Sequence, residues 1–233
     1  MTDLHLFSAQ ACPYAHRTRL VLGYKQLEFK LTEIDLRNKP AWFGSVSLYG
    51  KVPALEHART RLVESAVINE YLEEAFPGPK LLPKDPAGKA LARIWIDFAN
   101  TRLAPAFHSL LRGVTETERE QGSRDFLAAL QLIEREGLVK LSAAGPFFLG
   151  RDPSLVDFTL YPWFERLPAV QHYRTFAIPA DLARLQRWLQ AVSALPAVTA
   201  IANSKEFYVQ RYASVPASAP KPAATSSSTQ PLS

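Results

Sequence analysis

The chain is poor in cysteine: Cys12 is the only one in 233 residues. That excludes an internal disulfide framework and argues for a reducing compartment. It also excludes a Cys-x-x-Cys dithiol mechanism, so any resolving thiol must come from another molecule. No uninterrupted apolar run approaches the roughly 20 residues that a transmembrane helix needs. Met1-Thr2-Asp3-Leu4-His5 has neither the basic nor the apolar part of a secretory leader. The expectation is a cytoplasmic protein with no membrane partner. A concentrated basic run is missing too. The formal net charge is +5, yet residues 1–77 carry nine Lys/Arg against nine Asp/Glu, and residues 78–212 carry 17 against 13. The excess is diffuse and lacks aromatic interleaving, which argues against a nucleic-acid groove. Apolar residues make up 47% of the chain, enough for the core of one large domain or two small ones.

Against this background the position of Cys12 stands out. It lies between an apolar strand, Leu4-His5-Leu6-Phe7, and a helical run that includes Arg19-Leu20-Val21-Leu22. Helix N-termini present unpaired N–H groups and a positive dipole end, which favour a thiolate over a thiol, and the thiolate is the nucleophile. Pro13 suits the first helical position, where its missing donor costs nothing. Free cysteines are more often small buried hydrophobes. Cys12 instead follows a turn and precedes proline, so it reads as reactive.

Strand 1 is read at Asp3–Ser8 and a helix from Pro13 to about Gln26, with Leu20, Val21 and Tyr24 inward and Arg17, Arg19 and Lys25 outward. Glu28–Asp35 alternates polar and apolar residues, the period of a half-buried strand. The three elements make a βαβ unit with a parallel pair. A loop from Arg37 to Phe43 leads into a short irregular helix. Gly50–His57 reads as a turn into a third strand, Arg61–Val63 as a fourth, and Glu64–Phe76 as a helix stopped by Pro77-Gly78-Pro79. Residues 1–77 thus read β-α-β-(α)-β-β-α, and four prolines between Pro77 and Pro86 mark a connector, residues 78–87. Residues 88–212 have helical periodicity throughout. Leu91, Ile94, Trp95 and Phe98 fall on one stripe. Ser154-Leu155-Val156-Asp157 reads as a capping box opening an all-round apolar, hence central, helix. Residues 213–233 are rich in Ala, Ser, Pro and Thr and read as a disordered tail.

An α/β thioredoxin-like domain with a cysteine opening its first helix, followed by an all-α domain, resembles the glutathione transferase superfamily. The run Cys12-Pro13-Tyr14-Ala15-x-Arg17-Thr18-Arg19-Leu20-Val21-Leu22 is similar to the omega class. So are Asn38-Lys39-Pro40-x-Trp42-Phe43, Val52-Pro53-x-Leu55-Glu56, Glu64-Ser65-Ala66 and Pro162-Trp163-Phe164-Glu165-Arg166-Leu167. The resemblance implies glutathione as co-substrate, no metal, and a homodimer. It implies a cis peptide before Pro53, with Val52 offering its backbone to the cysteinyl part of glutathione. A strand-opening proline is equally allowed without that role. Ser65 would meet the γ-glutamyl carboxylate at a helix N-terminus, where an N-cap role alone is also natural. Glu64 would take the ammonium and Lys39 the glycyl carboxylate, and Tyr14 would line the thiol site. Trp163, Arg166 and Phe207 are implied for an apolar substrate pocket between the domains, although a tryptophan is more often core. His16, Arg17 and Arg19 are expected on a solvated face.

The implied activity is that of a glutathione-dependent thiol transferase or reductase. Cys12 would form a mixed disulfide with glutathione, and deglutathionylation and dehydroascorbate reduction would follow the same route. A glutathionyl-hydroquinone-type reductase shares a similar motif but is typically longer. A non-enzymatic adaptor or ligand carrier with this fold stays open at the level of sequence.

Overall fold

The structure is a computed structural model and describes residues 3–214. Four short strands, β1 (Leu4–Ser8), β2 (Lys30–Glu33), β3 (Ala54–His57) and β4 (Thr60–Val63), form one sheet in the order β2-β1-β3-β4. β1 pairs parallel with β2 and antiparallel with β3, which pairs antiparallel with β4. Two helices belong to this unit, α1 (Pro13–Tyr24) and α2 (Ser65–Ala75), and a 3-10 turn, Ala41–Ser45, follows β2. This is the βαβ-ββα order expected from sequence. The connection through α1 is long enough for a parallel crossover, whereas Ala58 and Arg59 suffice for the antiparallel hairpin.

The rest is helical: α3 (Pro86–Phe98), α4 (Ala104–Arg112), α5 (Glu116–Leu132), α6 (Val139–Leu141), α7 (Leu155–Glu165), α8 (Leu167–Tyr173), α9 (Ala183–Ser193), α10 (Pro196–Thr199) and α11 (Lys205–Arg211). Asp85 caps α3 by accepting from Gly88 N at 2.7 Å, so this helix begins inside the expected connector. α4 and α5 lie close enough that a Cβ on Gly122 would stand 2.2 Å from Leu110 N. α7 is the axis of the helical part, with Leu155 through Phe164 all buried. Ser154 and Asp157 form the expected capping box at its start. No described helix is long and apolar enough to cross a membrane.

Three expectations fail. β2 is an edge strand with Leu31 48% exposed, so its alternation does not reflect a buried face. Leu91 and Ile94 do not join Trp95 in the core; they stay exposed, at 40% and 61%. Most consequentially, the outward face of α1 is not outward. α1 packs against α2, α7 and α10, and His16, Arg17, Arg19 and Lys25 are all buried.

Each buried cation has partners, as burial demands. Arg17 Nε donates to Thr159 O (2.9 Å), and Arg19 donates to Gln10 O (2.9 Å). Lys25 pairs with Glu73 (3.0 Å) and donates to Pro79 O (3.2 Å). The expected tail lies outside the described residues apart from Ala213 and Ser214.

Candidate functional site

β1 delivers the chain to a tight turn in which Cys12 N donates to Ala9 O at 2.8 Å. Cys12 is extended (φ −76°, ψ 120°), Pro13 opens α1, and Cys12 O accepts from His16 N at 3.0 Å. The sulfur is half-buried and sits 3.8 Å from Val52 O across the turn. The expected thiol at a helix start is therefore present. Among the described residues no cluster of three or more His, Cys, Asp and Glu side chains is arranged to hold a metal.

Val52–Pro53 is a cis peptide bond. Beside it, β4 ends and α2 begins through Glu64, whose backbone has φ +68° and ψ 112°. A side-chain-bearing residue there is unfavourable and persists only where its surroundings impose it. The result is a sharp corner that places Glu64 and Ser65 together at the N-terminus of α2. Tyr14, Lys51, Val52, Pro53, Glu64 and Ser65 line a cleft of about 400 Å³, closed by Asn100 from the helical part. Five of the six residues expected to bind glutathione thus share one cavity.

Lys39 is the sixth, and it is not on the cleft wall. Its Nζ donates to Gly50 O at 2.9 Å, beside Lys51. Sequence reasoning passed over Lys51 and Asn100. Lys51 adjoins the Val52-Pro53 motif and was within reach of it, but nothing in the sequence marks Asn100. Behind the cleft, the buried Arg17 donates from one Nη to Asn100 Oδ1 (2.6 Å) and Ser65 Oγ (3.4 Å). Burial lowers its pKa to about 10, which leaves it cationic at neutral pH. The Tyr14 ring lies 4.9 Å from the Arg17 guanidinium carbon and edge-on to Trp163 at 5.3 Å. Burial pushes the Tyr14 phenol upward, so it is a neutral wall residue.

A second cleft, of about 220 Å³, is lined by Cys12 itself and opens between its turn and the ends of α4 and α11. Here the expected pocket residues need correction. Trp163 and Arg166 have no exposed surface. Trp163 packs against Phe107 and His108 in the core. Arg166 donates to Pro162 O (2.6 Å) and to Ala11 O (3.0 Å), tying α7 to the cysteine turn. Phe207 lies edge-on to Tyr208 at 5.3 Å and lines neither cleft. The wall is made instead by Leu36, His108, Arg112, Arg211 and Tyr212, with Cys12 and Tyr14. None of those five was singled out in sequence, because they meet only in three dimensions.

His108 is pulled down to about 4, by burial first and then by Arg112 and Arg166. His16 corrects another expectation. It is wholly buried, its Nε2 3.7 Å from Glu165 and its Nδ1 3.4 Å from Arg166. Burial, with Arg166 and Arg19, holds it well below the usual imidazole range.

A thioredoxin-like sheet with a helix-opening cysteine, fused to an all-helical part that closes the cleft, is the architecture of a thiol-dependent enzyme. Comparison with known proteins agrees. Residues 11–75 match the family model for the N-terminal domain of glutathione S-transferase, and residues 116–191 match the model for its C-terminal domain. The omega-1 glutathione S-transferase of Sus scrofa is 33% identical over 199 residues, covering 85% of this chain and 80% of that protein. The structure of omega 3C glutathione transferase from Trametes versicolor superposes with a TM-score of 0.81 at 28% identity, covering 92% of this chain and 91% of that one. A dehydroascorbate reductase from Chlamydomonas reinhardtii gives 0.76 at 25% identity, covering 91% and 98%. This chain belongs to the glutathione S-transferase family. Within it, the chain is similar to the omega class.

Proposed function

We propose that this protein is a glutathione-dependent thiol transferase and reductase that works through a Cys12–glutathione mixed disulfide. One observation carries the reading: the only thiol of the chain stands at the start of α1, lining the smaller cleft with its sulfur 3.8 Å from Val52 O of the larger one, and Tyr14 borders both clefts. In the larger cleft Val52 offers its backbone to the cysteinyl part of glutathione. Ser65 and the first N–H groups of α2 receive the γ-glutamyl carboxylate, and Glu64 takes the ammonium. Lys51, on the wall, and Lys39, at the rim, face the glycyl end.

Cys12 thiolate attacks the glutathionyl sulfur of a glutathione disulfide. The new S–S bond forms as the old one breaks, and the other half leaves as a thiolate that takes up a proton. The thiolate of a second glutathione then attacks Cys12–S–S-glutathione, releasing oxidised glutathione and restoring Cys12. With dehydroascorbate, two glutathiones supply the two electrons. The chain has no second cysteine, so glutathione is the only resolving thiol.

The test is intact mass after incubation with oxidised glutathione, with turnover of a model disulfide and of dehydroascorbate. One reducible glutathione adduct and turnover are expected. Neither adduct nor turnover would leave an adaptor or carrier role. Ser65→Ala should weaken glutathione binding about tenfold, the worth of one hydrogen bond to a charged group, as read by calorimetry. An unchanged affinity would remove Ser65 from the site.

The reading includes a cytoplasmic homodimer. Val67 on α2 and Leu91 and Ile94 on α3 are exposed apolar residues, and Arg93 of α3 joins Glu70 of α2 in an ion pair between them. A second copy covering this surface accounts for their exposure. A Val67→Glu and Ile94→Glu double variant should run as a monomer in light scattering where the wild type runs as a dimer. A wild-type monomer would remove the dimer.

A further inference from the structure

The smaller cleft beside Cys12 carries a charge pattern that disulfide chemistry alone does not need. Arg112 ends α4 and Arg211 ends α11, and the two helix ends converge on the cleft. Neither guanidinium is paired with a carboxylate among the described residues. The Arg112 guanidinium carbon instead lies 5.3 Å from the ring centre of the buried Tyr212. Among the described residues no acidic side chain lines the cleft. Leu36, Tyr14 and Tyr212 give it apolar walls, and His108 adds a polar edge that stays neutral above about pH 4. Two cations left unpaired beside an apolar slot form a receptor for an anion on an apolar stem.

We propose that this cleft binds the leaving half of the disulfide substrate and selects thiols that carry a carboxylate, held by Arg112 and Arg211. The assignment rests on the proposed function and names its substrate class. In the first step Cys12 thiolate bonds to the glutathionyl sulfur while the bond to the partner sulfur breaks. The partner departs as a thiolate within the cleft and is protonated by water. Its carboxylate fixes the partner, and so the breaking bond, in line with Cys12. The arginines also favour the departing thiolate by charge, an effect that shrinks as salt rises.

The test uses mixed disulfides of glutathione with 3-mercaptopropionate, 2-mercaptoethanol and cysteamine, whose partners are anionic, neutral and cationic. For the wild type, kcat/KM should fall in that order, by about tenfold from anion to neutral at low ionic strength. The spread should narrow at high salt. In the Arg112→Gln and Arg211→Gln double variant the anion-to-neutral ratio should fall to about twofold or less, and Arg211→Glu alone should lower it further than Arg211→Gln alone. Equal rates for all three substrates would overturn the assignment and leave the disulfide chemistry standing, as would a ratio that the variants do not move. Absence of any glutathione adduct on Cys12 with all three would overturn the proposed function, and this assignment with it.

Discussion

Cys12→Ser is expected to abolish the glutathione adduct and to lower disulfide and dehydroascorbate turnover by roughly a thousandfold or more. A serine hydroxyl neither ionises near neutral pH nor forms a disulfide, and no second cysteine can substitute. The loss should be confined to chemistry. Cys12 is only half-buried, and the turn is held by backbone bonds from Cys12 N to Ala9 O and from His16 N to Cys12 O, neither of which needs the sulfur. The melting temperature should therefore move little, and glutathione should still bind, because the cleft wall is built from Val52, Glu64, Ser65 and their neighbours. Calorimetry on the variant separates the two functions of the site. Substantial residual turnover would remove Cys12 as nucleophile, whereas lost binding would mean that the thiol also anchors glutathione.

The largest effect on stability is expected at a residue that touches neither cleft. Asp157 has no exposed surface and accepts four hydrogen bonds: from Phe148 N (2.9 Å), Ser154 N (2.7 Å), Ser154 Oγ (2.7 Å) and Trp188 Nε1 (2.6 Å). It thereby ties the start of α7 to α9 and to the loop before it. Asp157→Ala would leave several buried donors without an acceptor, each costing about 1–3 kcal/mol, so a total loss of about 4 kcal/mol is expected. For a chain of this size that is roughly 8–16 °C in melting temperature. Asp157→Asn should fall between, because one carbonyl oxygen remains while an NH2 faces other donors. Thermal and urea unfolding of the three proteins measure this directly. A loss below about 1 kcal/mol for the alanine variant would show that water or local rearrangement replaces the carboxylate.

The proposed mixed-disulfide route and the stability of α7 are linked through the cysteine turn. Arg166, at the end of α7, donates to Ala11 O, and Arg19 donates to Gln10 O. Arg166, which the resemblance implies for the substrate pocket, thus serves the turn that presents the thiol, as does Arg19, expected on a solvated face. The second cleft takes its surface from α4 and α11 instead.

Sequence alone determined the local units and the chemistry placed at their junctions. The strand, turn and helix around Cys12, the helix start at Ser65, the Val52-Pro53 turn and the capping box at Ser154 and Asp157 are each written within a few consecutive residues. Local backbone preference and capping act over that range. Tertiary structure alone decided which surfaces are buried and which distant residues meet. The face of α1 carrying His16, Arg17, Arg19 and Lys25 reads as solvated, because helical periodicity reports one apolar stripe and assumes water on the other side. In the folded protein α2, α7 and α10 all pack against α1, and Thr159 O, Gln10 O, Glu73 and Pro79 O take the place of water around the three cations. The same applies to the walls of the clefts. Asn100, Arg112 and Arg211 lie some ninety to two hundred residues from Cys12, and nothing in their own neighbourhoods marks them. Hydrogen bonding and charge become specific only when packing sets partners a few ångströms apart, and packing belongs to the whole chain.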